Sequence, residues 1–180
     1  SRPAAFARSH ASAAASRSAG EQQSEAIDFL RRKAELVGPG GGLLLGVDLK
    51  KDRAVLERAY DDARGVTAEF NKNVLVRLNR ELGADFDVHR FRHRALWNEE
   101  AGRVEMHLDS LADQVVRLAS REIRLRAGET IWTESSYKYT VEGFHALAAE
   151  AGFSPDSVWK DEQGLFSVHL LIVDPARPGP

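Results

Sequence analysis

GPGGGLLLGVDL, residues 38–49, is the stretch on which the fold turns. Glycines gathered around one proline are followed by a leucine- and valine-rich run, Leu43 to Leu49. That run has the length and composition of a buried strand. Upstream, Ile27, Leu30, Ala34 and Val37 recur at helical spacing, which predicts a helix over 21–37 with Ser24 placed to cap it. The glycines end that helix. The order is therefore helix, glycine loop, strand. A phosphate-cradling loop runs the other way, leaving a strand and opening a helix. The cluster reads as a connection within an α/β sheet, not as a nucleotide loop.

Composition narrows the class. A chain of 180 residues, 43% hydrophobic and 29% charged, is long enough for a real core. A net charge of -2 argues against a nucleic-acid binder driven by phosphate attraction. No apolar run approaches a membrane span. With no cysteine, disulfides, thiolate metal sites and cysteine nucleophiles are excluded, and cytoplasm is the expected compartment. Met106 is the only methionine and the chain opens at Ser1, which reads as a processed or incomplete chain. Residues 1–20 are rich in alanine, serine and arginine without an acid, and read as a disordered or unrelated leader.

Outward from the glycine loop, Asp52 to Ala63 predicts a short helix. Val66, Phe70, Val74, Leu78 and Leu82 step by four and predict a second, ending at Gly83. Phe91 to Trp97, Arg103 to Leu108, Gln114 to Leu118 and Glu122 to Leu125 predict short strands, with a hairpin turn over 98–102. Val141 to Ala151 predicts a helix closed by Gly152, and Ser157 to Lys160 and Leu165 to Val173 predict two strands. The ends of the chain thus look α/β, and the middle looks like an inserted α+β lobe.

Between lobe and returning helix lies RAGETIWTESSYKYT, residues 126–140, a strand by its β-branched and aromatic content. Alternation sends Glu134 and Ser136 to one side. A carboxylate only accepts hydrogen bonds, whereas a hydroxyl also donates. The pair suits a flat ring carrying one N–H and one bare nitrogen, such as neutral imidazole. On these residues alone the commoner case is a solvated strand face with an ordinary Glu and Ser.

Taken together, GGGLLLGVDLKKD, AYDDARGVTAEFNKNVLVRLNRELGADFD, FRHRALWNEEAGRVEMHL and AGETIWTESSYKY resemble the S-adenosylmethionine-dependent histidine Nα-methyltransferases of ergothioneine biosynthesis. The resemblance spans Glu21 to Val173. It implies the C-terminal half of a class I, Rossmann-like methyltransferase sheet carrying an inserted substrate-binding lobe. Residues 21–49 and 140–175 would belong to the sheet domain, and 50–139 to the histidine-binding lobe. Leu43 to Leu49 would be the fifth strand of that sheet.

The resemblance also implies roles. Glu134 and Ser136 would grip the imidazole, Tyr60 would hold the substrate carboxylate, and Met106 would form an apolar wall. Without the resemblance, Tyr60 is a half-buried packing residue and Met106 is core filling. Asn71 and Asn73 are candidates near Tyr60 to which no particular contact is assigned. The implied chemistry is in-line attack of the unprotonated α-amine on a sulfonium methyl, repeated to the trimethylated betaine, with no metal and with placement supplying much of the rate.

The glycine-rich strand–loop–helix that binds the cofactor in this family is not present. No cofactor-binding or catalytic residue is assigned, and the chain alone is expected not to catalyse methyl transfer. L-Histidine is the expected partner, with no nucleic acid or membrane, and the family implies a monomer. Two other readings within reach are a non-catalytic small-molecule-binding remnant and a methyltransferase for another amino acid. A third is a metal-dependent hydrolase built on His89, His93 and Glu99, against which stands the ordinary case of solvated histidines in a polar run, HRFRH.

Overall fold

A computed structural model describes residues 19–175. The chain divides into two compact units, one formed by residues 19–51 with 137–175 and the other by Asp52–Ser136. Residues 1–18 of the expected leader, and residues 176–180 at the other end, lie outside the described residues.

In the first unit, helix α1 (Ala19–Val37) leads into strand β1 (Gly42–Asp48). Ser24 lies inside this helix and does not cap it, a correction to the sequence reading. Ile27, Leu30 and Ala34 are buried as their spacing predicts, against Leu43 and Val47 of β1. Helix α4 (Val141–Glu150) adds Phe144, Leu147 and Ala148 to the same core. Strands β7 (Phe153–Lys160) and β8 (Phe166–Val173) complete an antiparallel sheet of order β1-β8-β7. Leu43 sits opposite Leu171, and Val47 opposite Ser167.

The other face of this sheet is apolar and open. Leu44, Phe166 and Trp159 are 42%, 45% and 53% exposed, and β1 is an edge strand. The Phe166 ring lies over Gly46, where a Cβ would meet it at 2.6 Å.

The glycine loop is tied down by its own amides. Gly38 N donates to Ala34 O at 2.9 Å, Gly40 N to Val173 O at 2.9 Å, and Gly41 N to Gly38 O at 2.9 Å. A side chain at Gly41 would collide with the Val37 carbonyl. The loop therefore closes a helix onto a strand end and leaves no row of free N–H groups for an anion, as its position in the sequence implies.

The chain passes between the units next to Asp48, which accepts from Lys138 Nζ at 2.7 Å and from Lys51 Nζ at 2.5 Å. The Lys138 side chain is 0% exposed. Burial opposes the Asp48 charge, but the two ammonium groups outweigh it and hold its pKa low. Backbone bonds Lys50 N to Tyr139 O and Tyr139 N to Asp48 O, 2.9 and 3.1 Å, join the outgoing and returning segments.

In the second unit, helices α2 (Arg53–Tyr60) and α3 (Val66–Leu82) precede strands β2 (Phe91–Asn98), β3 (Arg103–Ser110), β4 (Gln114–Leu118), β5 (Arg121–Leu125) and β6 (Thr130–Tyr137). Strands β2, β3 and β6 form one sheet in the order β2-β3-β6, while β4 and β5 form a separate hairpin. The central β3 is buried along its whole length. Leu75 of α3, Phe86, Phe91, Leu108 and Val116 make the core.

Candidate functional site

The motif AYDDARGVT shapes the turn that carries Tyr60. Asp52 caps α2 through Ala54 N and Val55 N at 2.9 and 3.2 Å, so the helix starts there and ends at Tyr60. Asp62 then accepts from Thr67 N at 2.8 Å and Val66 N at 3.2 Å, satisfying two orphan donors of α3. The Thr67 bonds, with Val66 behind them, pull its pKa down to about 2. Gly65, at φ 72°, supplies the left-handed residue of this corner.

The Tyr60 phenol lies 2.7 Å from Ser136 Oγ, although 76 residues separate them. One hydroxyl donates and the other accepts. Glu134 stands two positions before Ser136 on β6, and strand alternation gives them a common side. The Trp132 indole N–H donates to the Glu134 carbonyl at 2.9 Å, which fixes the backbone there. Thr133 Oγ1 donates to Met106 O at 2.9 Å and so ties Met106, 3% exposed, beside this part of β6. All four residues singled out in the sequence thus fall on α2, β3 and β6 of one unit. Tyr60 and Ser136 are in direct contact. Two hydroxyls and a carboxylate can donate to and accept from a polar ligand.

Behind Tyr60 runs a buried chain that the sequence reading missed. His93 Nε2 lies 2.8 Å from Tyr60 O, its Nδ1 lies 2.9 Å from Asn71 Nδ2, and Asn71 Nδ2 also donates to His107 O at 3.3 Å. Asn71 and His93 are 4% and 6% exposed. The signal was present in FRHRALW: Phe91, His93, Ala95 and Trp97 alternate with Arg92 and Arg94, which puts His93 on the inward, apolar side. His89, by contrast, is exposed. The solvated-pair reading therefore holds for one histidine only. Among the described residues, no three His, Asp or Glu side chains are grouped to hold a metal.

A charged cluster occupies alternate positions of β3. Asp109 takes two bonds from Arg94, 2.9 and 3.0 Å, which draw its pKa down to about 2. Glu105 accepts from Arg103 at 2.8 Å, Asn98 at 3.0 Å and His107 at 3.2 Å. Burial raises the pKa of Glu105, but these three bonds outweigh it and the net shift is downward. Burial pushes His107 below the ordinary imidazole value, against the pull of Glu105. Its Nε2–H donates to Glu105, and its Nδ1 is buried without a hydrogen-bond partner. The Arg103 guanidinium lies 4.4 Å from the centre of the Trp132 ring, and His107 stacks on that ring at 5.9 Å.

No helix among the described residues is long and apolar enough to cross a membrane. Residues 17–173 match the family described as histidine-specific methyltransferase, SAM-dependent. The chain is 47% identical over 147 residues to the histidine N-alpha-methyltransferase of Mycolicibacterium smegmatis, covering 81% of this chain and 46% of that protein. The enzyme of the same name from Mycobacterium tuberculosis is 46% identical over 144 residues, covering 79% and 45%. Ergothioneine biosynthesis protein 1 of Neurospora crassa is 32% identical over 154 residues, covering 83% and 17%. The chain thus spans less than half the length of the relatives it matches. A match over nearly all the described residues, reinforced by these identities, makes the chain a member of the histidine-specific, S-adenosylmethionine-dependent methyltransferase family.

Proposed function

We propose that this chain is the substrate-gripping part of an L-histidine Nα-methyltransferase that forms the trimethylated betaine of ergothioneine biosynthesis. The observation that carries the reading is the Tyr60–Ser136 contact, 2.7 Å, beside Glu134 on the same strand. Glu134 accepts a ring N–H, Ser136 serves the other ring nitrogen, Tyr60 takes the substrate carboxylate, and Met106 walls the ring. Since the two hydroxyls bond each other, substrate exchanges that bond for its own. A histidine folded so that its ring nitrogen turns toward its carboxylate meets both hydroxyls at once. Held by ring and carboxylate, the amine stays free to rotate between successive methylations.

The family's cofactor supplies a sulfonium methyl. The described residues do not fit that group: the glycine loop enters a strand, and its amides are engaged within the backbone. The open face of the β1-β8-β7 sheet and the edge position of β1 are what a sheet shows when its further strands and covering layer belong to the part of the relatives that this chain does not span. Calorimetric titration of S-adenosylmethionine into the 180-residue chain tests this reading. No micromolar binding is expected, and a micromolar Kd overturns it.

A further inference from the structure

We propose that His93, oriented by Asn71, is a positioning residue for Tyr60, holding the end of α2 so that the phenol meets Ser136 and substrate. This rests on the functional reading above for its consequence, though not for its geometry.

The hydrogen-bond roles in the chain are forced. Tyr60 O is a carbonyl and only accepts, so His93 Nε2, 2.8 Å away, carries the hydrogen. His93 Nδ1 faces an amide nitrogen at 2.9 Å, which only donates, so Nδ1 accepts. The Asn71 amide is itself oriented, because the same nitrogen donates to His107 O at 3.3 Å. One tautomer of His93 satisfies every group, and α3, β2 and β3 cooperate to select it.

The target of this chain is the last residue of α2. The terminal carbonyls of a helix lack intrahelical partners, and a helix end without one frays. Helix α2 runs only from Arg53 to Tyr60, too short to hold its own last turn. His93 supplies a donor to the carbonyl of the residue whose side chain reaches Ser136. A donor at that carbonyl fixes the φ and ψ from which the Tyr60 side chain springs. Leucine or serine at position 93 would leave the carbonyl without that donor. Glutamine can still bring an amide N–H to it.

The test is a double-mutant cycle on the 180-residue chain, read by L-histidine titration followed by NMR. His93→Leu is expected to weaken L-histidine binding on the order of tenfold, the value of one lost buried hydrogen bond. His93→Gln is expected to recover most of that loss. In a Tyr60→Phe background the His93→Leu penalty should vanish, because the hydroxyl it positions is gone. An equal penalty in both backgrounds means His93 only supports the fold, and the proposal fails.

A second readout is independent of substrate. The ¹⁵N shifts of His93 should show a protonated Nε2 and a bare Nδ1, and the Tyr60 carbonyl ¹³C shift should move in His93→Leu and return in His93→Gln. A protonated Nδ1 with a bare Nε2, or a Tyr60 carbonyl indifferent to His93, overturns the positioning chain. If wild type shows no L-histidine binding while these shifts behave as expected, the functional reading fails and the positioning chain stands.

Discussion

At the residue scale, the distinguishing feature is a carboxylate and two hydroxyls, Glu134 with Ser136 and Tyr60. Such a set discriminates by hydrogen-bond pattern. Replacing Glu134 by alanine removes the group proposed to read the imidazole N–H. A hydrogen bond to a charged acceptor is worth about 1.5–3 kcal/mol, so L-histidine affinity should fall by roughly ten- to a hundredfold. Affinity for an apolar amino acid should change far less. Competition titrations of the two ligands measure the ratio, and equal losses count against imidazole reading. In the sequence, Glu134 and Ser136 stand out through strand alternation as well as through the family resemblance, and Tyr60 through the resemblance alone. Asn71 does not: an asparagine on an amphipathic helix carries no sign of whether it faces the core. Only the path of β2 shows that a histidine waits for it there.

At the element scale, most boundaries follow from local chemistry. The stop at Gly38 and the hairpin over 98–102 were readable as turn residues, and Asn98 Oδ1 indeed accepts from Ala101 N at 3.0 Å, whereas Asp52, read as the first residue of a helix reaching Ala63, is its N-cap and the helix ends at Tyr60. Helix α3 shows where periodicity misleads. Val66, Phe70, Val74, Leu78 and Leu82 step by four, yet all of them except Leu78 are exposed, by 57%, 67%, 41% and 55% in turn. A step of four overshoots the helical turn, so such a row winds around the cylinder. The face that packs is instead marked by buried Asn71 and Leu75, with Leu78 partly buried beside them.

Strand β8 and helix α4 hold a histidine pair outside the candidate site. His169, 0% exposed, lies 2.9 Å from His145 Nε2 through Nδ1 and 2.8 Å from Ser167 Oγ through Nε2. Burial, and then the His145 charge, lower its pKa from the ordinary 6.5. In the native state His169 therefore stays neutral at a pH where the unfolded chain has already taken up a proton. Its contribution to stability is complete above pH 6.5 and is lost as pH falls from there through the lower native value. Thermal melts across this range should show Tm falling toward acid, with a shallower fall in His169→Gln. An unchanged slope in that variant would remove His169 as the cause.

At the scale of the whole molecule, the chain forms two compact units that differ in architecture. Residues 19–51 and 137–175 build a sheet covered on one face by α1 and α4 and open on the other. Asp52–Ser136 carries the hydroxyl pair, the carboxylate and the buried histidine that backs them. The α/β character of the ends and the different middle were visible from element order alone, because helix–loop–strand and strand–turn–strand sequences punctuate differently. The open face was not visible. Leu44 and Phe166 read as core residues in any sequence pattern, and only the coordinates show that nothing lies over them among the described residues.

The most direct measurement is an NMR titration of L-histidine into the ¹⁵N-labelled chain, following the backbone amides. Binding should move the resonances of Tyr60, Glu134 and Ser136 together, with one shared affinity, and leave those of Val168, Leu170 and Ile172 in place. Shifts confined to the sheet of the first unit, or none at all at millimolar L-histidine, would contradict a substrate grip formed by Tyr60, Glu134 and Ser136.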